Sequence, residues 1–185
     1  MADIYVNNAP FINKWFYVSG AFGEQRTDHV HTGLDLAPAG YSGSLYAIDD
    51  FTVIDYGYDA GSGYGNYFVA KNSNNVMYLY AHLSGLPPQT GTHFNLYDYV
   101  GEAGRSGTAT GVHLHLAMQQ GNTWNYSSNL SDYINPTTYL NGINNVATYS
   151  TRYYFNGTPG PGPTPTPGGK KSKFPWYIYQ NTPGL

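Results

Sequence analysis

Residues 76–83 read VMYLYAHL, and the fold turns on how that run alternates. Successive side chains of an extended strand leave opposite faces. Val76, Tyr78, Tyr80 and His82 therefore fall on one side, and Met77, Leu79, Ala81 and Leu83 on the other. His82 shares its face with two tyrosines in this reading. Short alternating or apolar runs of the same kind recur outward from it: FYVSGAF, SLYAI, FTVIDYGY, NYFVAKN and VHLHLAM, separated by clusters of Gly, Asn, Ser and Pro. Runs so spaced predict hairpins and an antiparallel sheet. With 20 Tyr and 23 Gly and few Glu, Lys or Arg, the composition also favours strands over helices. The expected fold class is mostly β: an antiparallel sheet core with hairpins and long loops and little helix.

A chain of 185 residues has room for one domain with a sizeable core. Its folded part is expected over residues 1–155. Residues 156–173, NGTPGPGPTPTPGGKKSK, alternate Pro with Gly or Thr and read as a semi-extended linker. Residues 174–185, FPWYIYQNTPGL, are aromatic and too short to fold alone; they read as a tail, a peptide that docks on a partner, or the stub of a further module. The glycine loops GSGYGN (61–66) and GRSGTATG (104–111) read as hairpin chemistry only.

Charged residues make up 10% of the chain and the net charge is −3, so there is no basic track for nucleic acid and no polybasic patch for a membrane surface. No run reaches the roughly 18 apolar residues that span a bilayer. The start, MADIYVNNAPFINKWF, lacks the basic and apolar regions of a secretory signal, so the expectation is a soluble protein without the usual export route. Because cysteine is absent, disulfides and thiolate zinc sites are excluded, and a metal would be held by His and carboxylate.

The histidines cluster. In GVHLHL (111–116) His113 and His115 leave one face of a strand. In HVHTGLD (29–35) His31 and Asp35 stand four apart, and the following LAPAG carries turn residues that open a loop. Two ring nitrogens and one carboxylate meet the count of a catalytic zinc, which keeps its fourth position open for water. Each element alone is weak, since a lone strand His or a turn Asp usually has a local partner. Their conjunction, in this order in a cysteine-free β chain, is not.

At these residues the sequence resembles the lysostaphin-type zinc endopeptidases of bacterial cell walls, the LytM family. The matching stretches are FGEQRTDHVHTGLDLAPAG, LYAIDDFTVIDYGYDAGSGYGNYFVAKN, MYLYAHLS, VGEAGRSGTATGVHLHL and INPTTYLNGI, together about 22–143. The resemblance implies that His31, Asp35 and His115 hold one zinc ion per chain and that His113 and His82 are the catalytic histidines. Zinc lowers the pKa of bound water to about 7, and imidazoles beside it can take up or deliver a proton. His113, neighbour of His115, is favoured as general base and His82 for proton delivery or transition-state stabilisation, although the two roles are exchangeable. His29 and His93 match no family position and read as loop or edge residues.

The chain also departs from the family pattern. Val112 stands where Pro is usual before H-x-H, Ala117 replaces the acid that often follows, and LPPQTGTHFNLYDYVGE lacks the usual Lys-Gly-Asp turn. None of these is a ligand; the last bears on specificity. Tyr64, Tyr80 and Asn125 are candidate substrate contacts. A D,D-carboxypeptidase type of zinc site should carry an acid shortly before the last His, as in E-x-x-H, and none precedes His113 or His115.

The resemblance implies a zinc metalloendopeptidase that cuts a peptide bond in the stem peptides or cross-bridges of peptidoglycan, of Gram-positive type. Without a signal peptide, such an enzyme is expected on a bacteriophage tail, with other tail proteins as partners, or released as a lytic enzyme. The alternative is a catalytically silent structural or wall-binding module; such relatives lose ligands first, and all five positions are present here.

Overall fold

The first six residues of the run at 76–83, Val76–Ala81, form a central strand of a large sheet. The computed structural model describes residues 2–40, 43–61 and 63–162. In chain order its strands are β1 (Ala2–Tyr5), β2 (Trp15–Gly20), β3 (Leu34–Pro38), β4 (Ser44–Tyr46), β5 (Phe51–Asp59), β6 (Gly65–Lys71), β7 (Val76–Ala81), β8 (His93–Phe94), β9 (Tyr99–Glu102), β10 (Leu114–Gln120) and β11 (Thr148–Tyr154). Nine form one sheet in the order β1-β11-β2-β3-β10-β7-β6-β5-β8, and β4 pairs with β9 in a two-stranded ribbon. The pairings are antiparallel, as expected, except that β1 runs parallel to β11, which makes the sheet mixed. Helix is confined, among the described residues, to two 3-10 turns, Leu130–Asp132 and Pro136–Thr138. Each has its first turn capped by an asparagine side chain, Asn129 and Asn135.

The alternation of the central strands divides the buried residues between two faces. One carries Phe16, Val18, Leu34, Leu36, Phe51, Phe68, Tyr78, Tyr80, Leu114 and Leu116 in the main core. The other carries Val69, Met77, Leu79, Ala81 and Ala117 under Trp124 and Tyr133. Aromatic rings fill the main core: Phe68 stacks on Tyr80 at 4.9 Å, and Phe51 lies 5.5 Å from Tyr78 and 6.0 Å from Phe94. The Tyr78 hydroxyl is not left bare, donating to Asp49 Oδ2 at 2.5 Å.

LAPAG does not open a loop. Leu34–Pro38 is β3, hydrogen-bonded between β2 and β10, because Leu34 and Leu36 fill the core and outweigh the turn residues that follow. Pro38 is tolerated as the last residue of its strand. β11, in TYSTRYY, carries no clean alternation and is held partly by its rings, with Tyr154 4.9 Å from Trp15 and Tyr149 5.3 Å from Tyr17. After it the chain returns along the β8–β9 connection, where the N–H of Gly160 donates to Tyr97 O at 2.7 Å and that of Gly162 to Asp98 Oδ1 at 2.8 Å. The rest of the stretch read as a linker, and the aromatic segment 174–185, lie outside the described residues.

Candidate metal centre

β3 and β10 place the first two groups. Asp35 and His115 are direct cross-strand partners, both on the second face of the sheet. His31 reaches the same point from the segment before β3, where its N–H donates to Glu24 O at 2.9 Å and its carbonyl accepts from Gly23 N at 2.8 Å. Three atoms converge: His31 Nε2, Asp35 Oδ1 and His115 Nδ1 lie 3.0, 3.1 and 2.9 Å apart in pairs. All three side chains are buried.

Hydrogen bonding shows what those atoms are for. His31 Nδ1 is 2.7 Å from the carbonyl of Ala21, which only accepts, so a neutral His31 carries its proton there and turns the Nε2 lone pair on Asp35 and His115. Burial lowers the His115 pKa, which keeps that imidazole neutral. Burial would raise Asp35, but His115 and His31 beside it hold its carboxyl well below the usual range. A buried carboxylate oxygen that meets two ring nitrogens at one point suits a cation held by all three. The donor set therefore fits a zinc ion, with a carbonyl fixing the outer nitrogen of one ligand. His115 Nε2 is enclosed without a hydrogen-bond partner among the described residues. It packs so closely on Gly33 that a Cβ there would lie 2.6 Å away.

His113 and His82 stand at the rim. Their rings are 4.7 Å apart, and His82 is 5.9 Å from the His115 ring. Both are set in one tautomer by backbone: His113 Nδ1 donates to Gly111 O and His82 Nδ1 to Ser106 O, each at 2.9 Å. In its neutral form each ring offers Nε2 as an acceptor, and that of His113 is 3.7 Å from Asp35 Oδ1. Burial, then the neighbouring His115 and His113, pushes His82 down to about 4. His82 is therefore neutral near pH 7.

One expectation about His82 fails. Tyr78 and Tyr80 point into the main core, yet His82 faces the site on the other side. The residue follows the end of β7 with φ +61, and this left-handed turn breaks the alternation and throws the ring across the sheet. The backbone is held there by the N–H of His82 donating to Tyr64 O at 2.9 Å. The two glycine loops, read as hairpin chemistry only, interlock to make this possible. Thr108 N–H donates to Gly63 O at 3.0 Å and Asn66 N–H to Ser106 Oγ at 2.9 Å. The same loop then presents the Ser106 carbonyl to His82.

The candidate substrate contacts separate. Tyr80 is wholly buried, with its hydroxyl donating to Tyr46 O at 3.2 Å; the alternation that put it on His82's face put it in the core, so it is no groove residue. Asn125 is tied into its own loop: Gln119 clamps its backbone at 2.6 and 2.9 Å, and its side chain donates to Asp132 at 3.3 Å. Its bonds are with this loop, not with the histidines. Tyr64 does lie at the site, its ring 5.6 Å from His115, with burial and the Tyr133 phenol pushing its pKa up. His29 is exposed on Asp28, and His93 bonds Thr52 at the sheet edge.

Sequence reasoning missed Arg26. Its Nη2 donates to Asp35 Oδ2 at 2.6 Å, so Asp35 offers one oxygen to the ligand cluster and the other to a guanidinium. Gly20, opposite Asp35 in the β2–β3 register, makes the space: a Cβ there would meet Asp35 Oδ2 and, at 2.6 Å, Arg26 Nη2. A Gly at the end of FYVSG was the available signal.

The model of Peptidase family M23 matches residues 29–127. Among solved structures, a variant catalytic domain of EnpA, a prophage-encoded M23 protein from Enterococcus faecalis, is similar at 25% identity over 67% of this chain and 91% of that one, with a TM-score of 0.54. The catalytic domain of lysostaphin, an antimicrobial peptidase from Staphylococcus simulans, is similar at 20% identity over 69% and 91%, TM-score 0.55. A zinc-containing peptidase from Vibrio cholerae is similar at 24% identity over 61% and 36%, TM-score 0.53.

Proposed function

The chain belongs to peptidase family M23, and from that premise we propose that it is a zinc-dependent endopeptidase that hydrolyses a peptide bond in peptidoglycan stem peptides or cross-bridges. The observation that carries the proposal is the meeting of His31 Nε2, Asp35 Oδ1 and His115 Nδ1 beside two histidines whose Nε2 atoms are free to accept protons. Peptidoglycan as substrate is supported by the fold shared with lysostaphin and by the likeness to EnpA.

In this mechanism zinc, when bound, supplies Lewis acidity at the carbonyl and a water that ionises near neutral pH. His113 takes the proton of the attacking water at Nε2, while Gly111 O keeps its Nδ1 proton in place. His113 then passes that proton to the leaving amine, and His82, buried and neutral, keeps its Nε2 acceptor beside the His113 ring, 4.7 Å away, to hydrogen-bond and orient the attacking water. Ser106 O anchors His82 throughout. Proton transfer by positioned groups is worth roughly 10²–10⁴ in rate, so His113→Ala and His82→Ala should each lower kcat on that order and leave bound zinc near one per chain.

Purified wall material incubated with the protein should yield new amine termini, identified by mass spectrometry, that disappear with a chelator and with His115→Ala. No chelator-sensitive cleavage of Gram-positive or Gram-negative peptidoglycan would sink the enzyme reading in favour of a silent wall-binding module. The likeness to a prophage-encoded protein supports a phage context, on a tail during entry or freed at lysis. Proteomics of purified virions against lysates separates these two.

A further inference from the structure

One wall of the cleft beside His82 and His113 comes from outside the segment that matches the family model. Ser19 in β2, Arg26 in the turn after it and Tyr149 in β11 line that wall, while the match begins at residue 29. Among the described residues Arg26 is the one Lys or Arg in the lining, and the one acid there is the ligand Asp35. We infer that Arg26 is a specificity-determining residue that binds a free carboxylate on the substrate peptide near the scissile bond. This rests on the peptidase reading above and names the substrate class it prefers: acid-bearing peptide over a neutral glycine chain.

Three observations carry the inference. First, the guanidinium is only partly engaged. A guanidinium has five N–H donors, and among the described residues its hydrogen bond is the one from Nη2 to Asp35. Glu24 Oε2 sits at 3.6 Å, too long for a hydrogen bond. The side chain is 35% exposed, so donors remain for a ligand. Second, the head is held in place before any ligand arrives. Its backbone N–H donates to His29 O at 2.9 Å, Gln25 bridges to Val30, and Gly20 leaves the niche in which Arg26 and Asp35 meet. Third, the local charge favours an anion. A divalent ion held by one carboxylate and two neutral imidazoles keeps one positive charge; Arg26 adds a second and Glu24, 3.6 Å from it, takes one away, which leaves the site positive. The chain as a whole is at −3. A planar carboxylate suits the guanidinium fork, and Glu24 at its longer distance is the partner it would displace.

The carboxylate can come from two places, the C-terminus of the cleaved peptide or an acidic residue within it. Four synthetic peptides spanning the bond found in the wall digest separate these, each position being free acid or amide. Wild-type protein should cleave the acid at one position at least about tenfold faster in kcat/KM than its amide, as a charge-assisted hydrogen bond warrants. That position names the source. Arg26→Gln should bring the acid-to-amide ratio close to one, and Arg26→Lys should keep an intermediate ratio. Calorimetric affinities of the product peptides should show the same loss of discrimination.

Equal rates on acid and amide at both positions would overturn the inference. So would a uniform fall for all peptides in Arg26→Gln with the ratio kept, because Arg26 would then act only through Asp35. Wild-type protein that cleaves neither the peptides nor wall material would overturn the peptidase reading itself.

Discussion

Gly33 lies where a side chain would collide with a ligand: a Cβ there would sit 2.5 Å from Cε1 and 2.6 Å from Nε2 of His115. Gly33→Ala must displace the ring or the strand beneath it. Overpacking of this kind costs about 1–3 kcal/mol, and zinc per chain, by elemental analysis, should fall well below one. Unchanged zinc would mean that the ring yields without leaving the centre. His31→Ala should likewise abolish metal binding. His29→Ala, at an exposed residue bonded to Asp28, should keep the metal and shift stability by no more than about 0.5 kcal/mol. Spacing brought the cluster into view, since H-x-H gives one face and H-x-x-x-D brings His31 to the start of β3, but the choice of His115 over His113 as ligand came from the family resemblance. The groups that orient the ligands were not legible. The carbonyls of Ala21, Ser106 and Gly111 belong to the backbone, and no residue type advertises them. Arg26 was equally hidden, since its partner Asp35 is nine residues on, beyond a turn.

At the scale of elements, the interlocked glycine loops decide whether His82 functions. Gly65 has φ +62, and a Cβ there would run into the backbone of Ser106 and Gly107. Gly65→Ala should therefore part the two loops and free His82 Nδ1 from the Ser106 carbonyl. Zinc should stay near one per chain while kcat falls about tenfold or more, part of what positioned proton transfer contributes. Retained kcat would show that the Ser106 anchor is dispensable. Six strands were legible from alternation between turn residues, because a buried strand must alternate or be apolar. β3 was not, since Pro38 and the glycine after it spoke louder than two core leucines. Neither was the placement of His82, because a single left-handed residue reverses a face without changing the pattern of types.

Across the whole molecule, the sheet reaches beyond the 29–127 match through β1, β2 and β11, and the aromatic core ties its centre together. Phe68→Ala removes a fully buried ring stacked on Tyr80 and packed near Phe51 and Phe94. It should cost about 3–5 kcal/mol, seen as a lower midpoint in urea with an unchanged slope. An ion that binds only the folded chain stabilises it, by about 2.7 kcal/mol at a hundredfold excess over Kd. The Tm should rise on adding zinc to chelator-treated wild type and stay flat for His31→Ala. The most direct test of the centre as a whole is reconstitution. Strip the metal, then titrate zinc back while following release of amine termini from peptidoglycan. Activity lost on stripping and restored in full at one equivalent per chain, with His115→Ala silent throughout, is the expected result; wall cleavage that survives complete removal of metal would contradict it.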